Sequence, residues 1–237
     1  MFTVKLHAPI KGIFFDYGWT LFYNTCEYWW FPKECLDSNL FNEFPDDKRD
    51  IAFQKALKYL DDNHLILTEE EELEQFRTIY SMISYDLPEL ALSKQKIDVL
   101  VDAWISRTYD YLYDDTLQTL KALHEKYKLG IISDNWPSAK RKLNSCGLET
   151  YFCTMTISSY FGTFKSSPDK RMFHHALEQM KLPPEQSIFV DDGVENLERA
   201  GECGIQPVLI TAKPDAESSD KYPNIQKLSE LLSLLHE

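Results

Sequence analysis

The sequence predicts an α/β fold, a parallel sheet with helices on both faces, interrupted by one long α-helical insertion. Three observations carry that reading. From Asp114 onward, strand-length apolar runs alternate with helix-length amphipathic stretches, the texture of βα units whose strands lie parallel. A first strand-like run, Ile13 to Phe15, stands far upstream of the others and stops at Asp16. Between the two, residues 24 to 112 hold helical periodicity and many aromatics without a convincing strand. The predicted sheet domain is therefore residues 1–22 and 113–237, and the helical insertion residues 23–112.

In chain order, Gly18 follows Asp16 and is expected to open backbone conformations closed to other residues, before Leu21-Phe22 leads into the insertion. There, Tyr28-Trp29-Trp30-Phe31 concentrates aromatics, either to fill a core or to line a substrate pocket. Ile51, Ala56, Leu57 and Leu60 form a first helical stripe, on which Lys55 and Lys58 read as a solvated face. Thr68 and Glu71 form a capping box ahead of Leu73, Phe76, Tyr80 and Ile83. Ile97, Leu100, Val101, Trp104, Ile105, Thr108 and Leu112 keep helical spacing and predict a third helix.

The sheet domain then resumes with a helix over about Thr116 to Tyr127, a strand Leu129 to Ser133 and a helix from Ser138 that stops at Cys146-Gly147. Thr154 to Ser158 is the next predicted strand, and Phe161 to Pro168 a loop. A helix carries Met172, Phe173, Ala176, Leu177 and Met180, and the strand Ile188 to Val190 ends on Asp191-Asp192. A helix from Asn196 to near Gly204, a last strand Pro207 to Ile210, and a C-terminal helix marked by Leu228, Leu231, Leu232 and Leu235 complete the pattern. Lys213 to Pro223 reads as a solvated loop.

With 237 residues, 43% of them apolar, the chain can bury a real core unaided. A net charge of −13 and the lack of a basic stripe argue against a nucleic-acid partner. No window approaches the roughly 18 apolar residues of a membrane helix, and Met1 to Ile10 has no signal-like core, so a cytoplasmic protein without a membrane partner is expected. Cys26, Cys35, Cys146, Cys153 and Cys203, odd in number and without a Cys-x-x-Cys pair, read as reduced thiols and most simply as buried small hydrophobes.

The clearest strands end on polar residues: Asp16, Ser133 and Asp191-Asp192, with Lys165 on a loop of the same edge. Singly, Asp16 and Ser133 suit strand-end turns, Lys165 a surface position and the acidic pair a helix N-cap. Together they supply a carboxylate that can attack, carboxylates for a hard cation, a hydroxyl donor and an ammonium that neutralises oxygens, a set suited to phosphoryl transfer.

In this order the residues resemble the haloacid dehalogenase superfamily of hydrolases. Asp-x-x-x-Thr-Leu from Asp16 to Leu21, Ser133 after an apolar strand, Lys165 before a Pro, and Phe-Val-Asp-Asp-Gly-x-Glu-Asn from Phe189 to Asn196 match its four motifs across the chain. The resemblance implies a Rossmann-like sheet domain, with the helical insertion as a C1-type cap over the active site. It implies Asp16 as a nucleophile that forms an aspartyl-phosphate, with Ser133 and Lys165 holding the phosphoryl oxygens. Thr20, Asp134 and Asn135 complete the implied substrate-binding set. Mg²⁺ is the implied cofactor, held by Asp16, the main-chain carbonyl of Gly18 and Asp192, with Asp191 and Asn196 supporting it directly or through water. The expected activity is hydrolysis of a small phosphorylated metabolite.

Gly18 departs from the family pattern, because phosphatases of this kind carry there a second Asp as general acid, and Trp19 replaces a small residue. Loss of a positioned acid costs about 10²- to 10⁴-fold in rate. Two alternatives therefore stand beside a phosphatase: a catalytically weak relative that binds a phosphorylated ligand or a protein partner, and a hydrolase of the dehalogenase or phosphonatase type. Around Lys165, two extra residues separate the motif from the following helix.

Overall fold

The computed structural model describes residues 6–7, 9–25, 31, 45–214, 216 and 218–236. Strands β1 (Gly12–Phe15) and β2 (Phe22–Asn24) precede three helices, α1 (Asp46–Asp62), α2 (Glu69–Asp86) and α3 (Lys94–Ser106). The chain returns through β3 (Asp110–Leu112) to α4 (Thr116–His124), β4 (Lys128–Ser133), α5 (Ser138–Ser145) and β5 (Phe152–Ile157). It ends with α6 (Arg171–Met180), β6 (Ser187–Asp191), α7 (Val194–Glu202), β7 (Gln206–Ile210), β8 (Asn224–Ile225) and α8 (Glu230–Leu234).

Six strands form one parallel sheet in the order β5-β4-β1-β6-β7-β8. Alternation along β1 builds both faces: Ile13 and Phe15 join Leu120, Leu143 and Leu231 on one, while Phe14 joins Phe173, Met180 and Leu197 on the other. After β1 the chain adds strands outward on one side (β4, β5), then crosses back to add β6, β7 and β8 on the other. Such a reversal leaves a crevice at the carboxyl ends of the central strands, where ligands bind in open α/β sheets.

The helices α1 to α3 bury their own cluster, with Ala56, Phe76, Tyr80, Ile83, Leu100 and Trp104 at its centre and Trp136 reaching in from the loop after β4. The Thr68 capping box forms as expected. The first stripe is shifted: Ala52, Ala56 and Leu60 are buried, while Ile51 and Leu57 are exposed. Phe31 packs into the cluster against Phe53 and Tyr80, whereas Tyr28, Trp29 and Trp30 lie outside the described residues. Lys55 and Lys58 pair at the surface with Asp86 and Asp62.

The third helix ends earlier than its periodicity suggests. Arg107 turns left-handed (φ 49°), and Asp110 to Leu112 pair antiparallel with Phe22 to Asn24, a two-stranded ribbon where no strand was expected. Tyr111 and Leu112 suit either element; the partner strand decides. The solvated loop likewise runs into an unforeseen strand, β8, pairing with β7. Of the cysteines, Cys146 and Cys203 are half-buried and Cys153 is exposed, so the expectation of buried thiols fails for these three; Cys26 and Cys35 lie outside the described residues. Among the described residues, no helix is long and apolar enough to cross a membrane.

Candidate active site

The parallel register aligns the polar strand ends. Phe15 pairs with Ile131 of β4 and Val190 of β6, so Asp16, Ser133 and Asp191 emerge side by side at the crevice. Lys165, 2% exposed, reaches them from the loop after β5: its Nζ lies 2.9 Å from Asp16 Oδ2 and 2.6 Å from Asp191 Oδ2. Its backbone N–H donates to Asp134 Oδ1 at 2.9 Å, which fixes the loop to the residue after Ser133. Further on, Lys170 turns left-handed (φ 54°) immediately before α6. Thr20 is fully buried, with its hydroxyl lacking a hydrogen-bond partner.

Asp16, Asp191 and Asp192 each offer a carboxylate oxygen within 4.8 Å of the others. Asp191 is already committed: Oδ1 accepts from the Gly193 N–H (2.6 Å) and from Asn196 Nδ2 (3.1 Å), and Oδ2 from Lys165. Asp16 Oδ1 is different, buried without a hydrogen-bond partner. A buried, orphaned carboxylate oxygen clustered with a further carboxylate at Asp192 suits a hard cation with oxygen ligands, so the donor set fits Mg²⁺.

Burial pushes the Asp16 carboxyl up; the Lys165 ammonium opposes this, Asp191 adds to it, and the Ser133 hydroxyl lowers it again. Lys165 is held above its ordinary value, since Asp16, Asp191 and Asp134 outweigh the cost of burying its charge. Burial raises Asp134 to about 6, and raises Asp192, with help from Asp191 and Asp16, to about 7. Unfolded, such carboxyls titrate near 3.8, so the folded protein holds these protons more tightly. Their contribution to stability is present at low pH and is lost as pH rises from that value through about 7. Thermal melts in chelator should therefore show this loss, and Asp192→Asn should flatten its upper part. A slope unchanged by Asp192→Asn would refute the assignment.

Gly18 does not supply the conformational freedom expected of it. The left-handed residue is Trp19 (φ 53°), and a Cβ at Gly18 would meet nothing within 4 Å. Trp19 has turned toward Lys213, whose Nζ lies 5.5 Å from the indole ring. An Asp at position 18 is thus sterically admissible.

Asn135 sits beside the site, but its Oδ1 accepts from Arg107 Nη2 (2.6 Å) and the Trp136 N–H (3.0 Å). It belongs to a buried polar network between the helical insertion and the sheet that includes Glu72, Arg107, Asp110 and Ser138. None of these four is a site residue on the sequence reading, where Ser138 figures only as the start of a helix. A signal existed in α2, where Glu72 and Gln75 share one helical face with Phe76 and Ile79 and are buried with them.

The sequence model of the haloacid dehalogenase-like hydrolases matches residues 20–204, and the chain belongs to that family. Among curated relatives, the glyceraldehyde 3-phosphate phosphatase of Methanocaldococcus jannaschii is 27% identical over 239 aligned residues, covering 95% of this chain and 97% of that protein. The GMP/IMP nucleotidase YrfG of Escherichia coli is 28% identical over 130 residues, 52% of this chain and 58% of that protein. Among solved structures, a 2-haloacid dehalogenase from Pseudomonas syringae superposes with a TM-score of 0.65 at 19% identity, covering 96% of this chain and 98% of that one. The structure of YfnB of Bacillus subtilis bound to magnesium gives 0.62 at 17% identity, covering 97% and 100%. The protein is thus a hydrolase whose fold is shared by dehalogenases and other members of the family.

Proposed function

We propose that this hydrolase is a Mg²⁺-dependent phosphatase acting on a small phosphorylated metabolite, with Asp16 as its nucleophile. One observation carries the reading: Asp16, at a strand exit, pairs with a buried lysine while its second oxygen stays unpartnered in a cluster with Asp191 and Asp192. A haloacid hydrolase needs no such cation site. The curated relatives described above are named as a phosphatase and a nucleotidase, in keeping with this reading.

In the proposed reaction an Asp16 oxygen attacks phosphorus, the bond to the leaving oxygen breaks, and water then attacks phosphorus to release phosphate and regenerate the carboxylate. Ser133 donates to the phosphoryl oxygens and Lys165 neutralises them, while Thr20, Asp134 and Asn135 shape the surrounding loops. Asp16, the Gly18 carbonyl and Asp192 would hold Mg²⁺, with Asp191 and Asn196 behind them. Bound there, the cation supplies further charge neutralisation of the transferring group. Residues 23–112 act as the cap that shields this step from bulk water.

Without a carboxylic acid at position 18, the leaving oxygen departs without that proton, so aryl and acyl phosphates should turn over faster than sugar phosphates. A panel of such esters, with and without Mg²⁺, tests the class. Gly18→Asp should raise kcat/KM for an alkyl phosphate by about tenfold or more and for an aryl phosphate by less. An unchanged ratio in a folded variant would show that the missing acid is not limiting. No turnover of any ester would favour a ligand-binding relative, and Mg²⁺-independent turnover would favour the dehalogenase type.

A further inference from the structure

A buried polar cluster centred on Arg107 lies beside the proposed site. Arg107, 4% exposed, stands at the point where the chain leaves α3 for β3. Its guanidinium is a three-way fork: Nε donates to Ser138 Oγ (2.7 Å), Nη1 to Asp110 Oδ2 (3.2 Å) and Nη2 to Asn135 Oδ1 (2.6 Å). Asp110 Oδ2 also accepts the hydroxyl of Tyr17 at 2.7 Å, so one arm of the fork reaches the residue next to Asp16. The other two arms hold the turn that follows Ser133 and Asp134, where Ser138 opens α5. Glu72 closes the set from α2, accepting the Ser138 N–H at 2.8 Å and its hydroxyl at 2.6 Å while lying 3.9 Å from Arg107. Burial works against the Arg107 charge, yet the group is held above its ordinary value, with the Asp110 and Glu72 carboxylates beside it.

We propose that Arg107 is a positioning residue: through Asn135 on one side and Asp110 with Tyr17 on the other, it sets the loop after β4 against the exit of β1, and hence Ser133 and Asp134 against Asp16. The inference rests on the reading of Asp16 as the nucleophile. A guanidinium suits the task because its donors lie in one rigid plane and meet three acceptors at once, whereas an ammonium keeps the charge and loses the fork. Misplacement of reacting groups by about 1 Å can cost on the order of 10²-fold in rate.

The test is Arg107→Lys, which leaves Glu72 and Asp110 with a neighbouring cation, together with Asp110→Asn, which keeps the shape at that position. For each folded variant, kcat and KM for an aryl phosphate are measured, and inorganic phosphate binding is measured calorimetrically as a readout independent of turnover. Arg107→Lys should lower kcat by about tenfold or more, with KM changed by less than about threefold. Asp110→Asn should move kcat in the same direction by less. A kcat and a phosphate affinity within about twofold of wild type in the folded variants would overturn the proposal, since such changes lie inside ordinary coupling between sites. If neither variant folds, Arg107 is structural and the proposal is likewise overturned. A wild-type protein that turns over no phosphate ester refutes the phosphatase reading itself, whereas active wild type with unaltered variants refutes only the role of Arg107.

Discussion

Asp16→Asn should abolish turnover, with kcat reduced by about 10³-fold or more, because the amide keeps the size of the side chain but is a far poorer nucleophile. The variant should fold. Asp16 sits in a tight charge cluster with Lys165, Asp191 and Asp192, and removing one negative charge relieves the repulsion that helps to raise Asp192. Without metal the variant should therefore melt no lower than wild type at neutral pH. With Mg²⁺ it should gain less stability than wild type, since a cation bound only by the folded state stabilises it in proportion to its affinity. Steady-state kinetics and melts with and without Mg²⁺ check both halves. More than a few per cent of wild-type activity in the purified Asp16→Asn variant would contradict a covalent role for this residue.

Lys165→Met should have the largest effect on stability. The ammonium is buried between two carboxylates at 2.9 and 2.6 Å, and its removal leaves those charges uncompensated where water cannot solvate them. Breaking a buried pair in this way costs about 3–5 kcal/mol. The deficit should shrink as pH falls, because protonation of the stranded carboxyls removes the penalty, and it should shrink on adding Mg²⁺, which restores positive charge. Denaturant unfolding at two pH values, with and without Mg²⁺, measures this. A loss below about 1 kcal/mol, the range of exposed pairs, would contradict the buried geometry. Activity should fall as well, since the same ammonium is proposed to neutralise phosphoryl oxygens.

Much of this arrangement was legible in the sequence because a parallel sheet writes its site at strand ends. Ile13 to Phe15, Leu129 to Ser133 and Ile188 to Val190 are short apolar runs that stop on polar residues, and register alone then brings Asp16, Ser133 and Asp191 together. Lys165 was legible only through its place beside that set, since nothing local distinguishes a buried lysine from a surface one. What stayed hidden depends on partners far away in the chain. The ribbon of β2 with β3 joins residues about ninety positions apart, and Leu112 fits a helical stripe until that partner is known. The two-residue β8 exists only because β7 offers it an edge. Gly18 misled in a different way: glycine permits a left-handed backbone but does not require one, and here Trp19 takes it. The Arg107 network escaped because each member has a commonplace surface reading, and only Glu72 and Gln75, lying within the apolar face of α2, broke the pattern.

The most direct test of the central claim is a single turnover of an aryl phosphate in heavy-oxygen water with Mg²⁺, quenched in acid and followed by mass analysis of the phosphate and of the peptide containing Asp16. An aspartyl-phosphate is opened by attack on phosphorus, whereas an ester of the kind formed in carbon–halogen hydrolysis is opened by attack on the carboxyl carbon. The predicted result is a phosphoryl group on Asp16 at early times, heavy oxygen in the released phosphate, and none in the Asp16 carboxyl at the end. Turnover without any phosphoryl on Asp16, or with heavy oxygen in its carboxyl, would contradict the account.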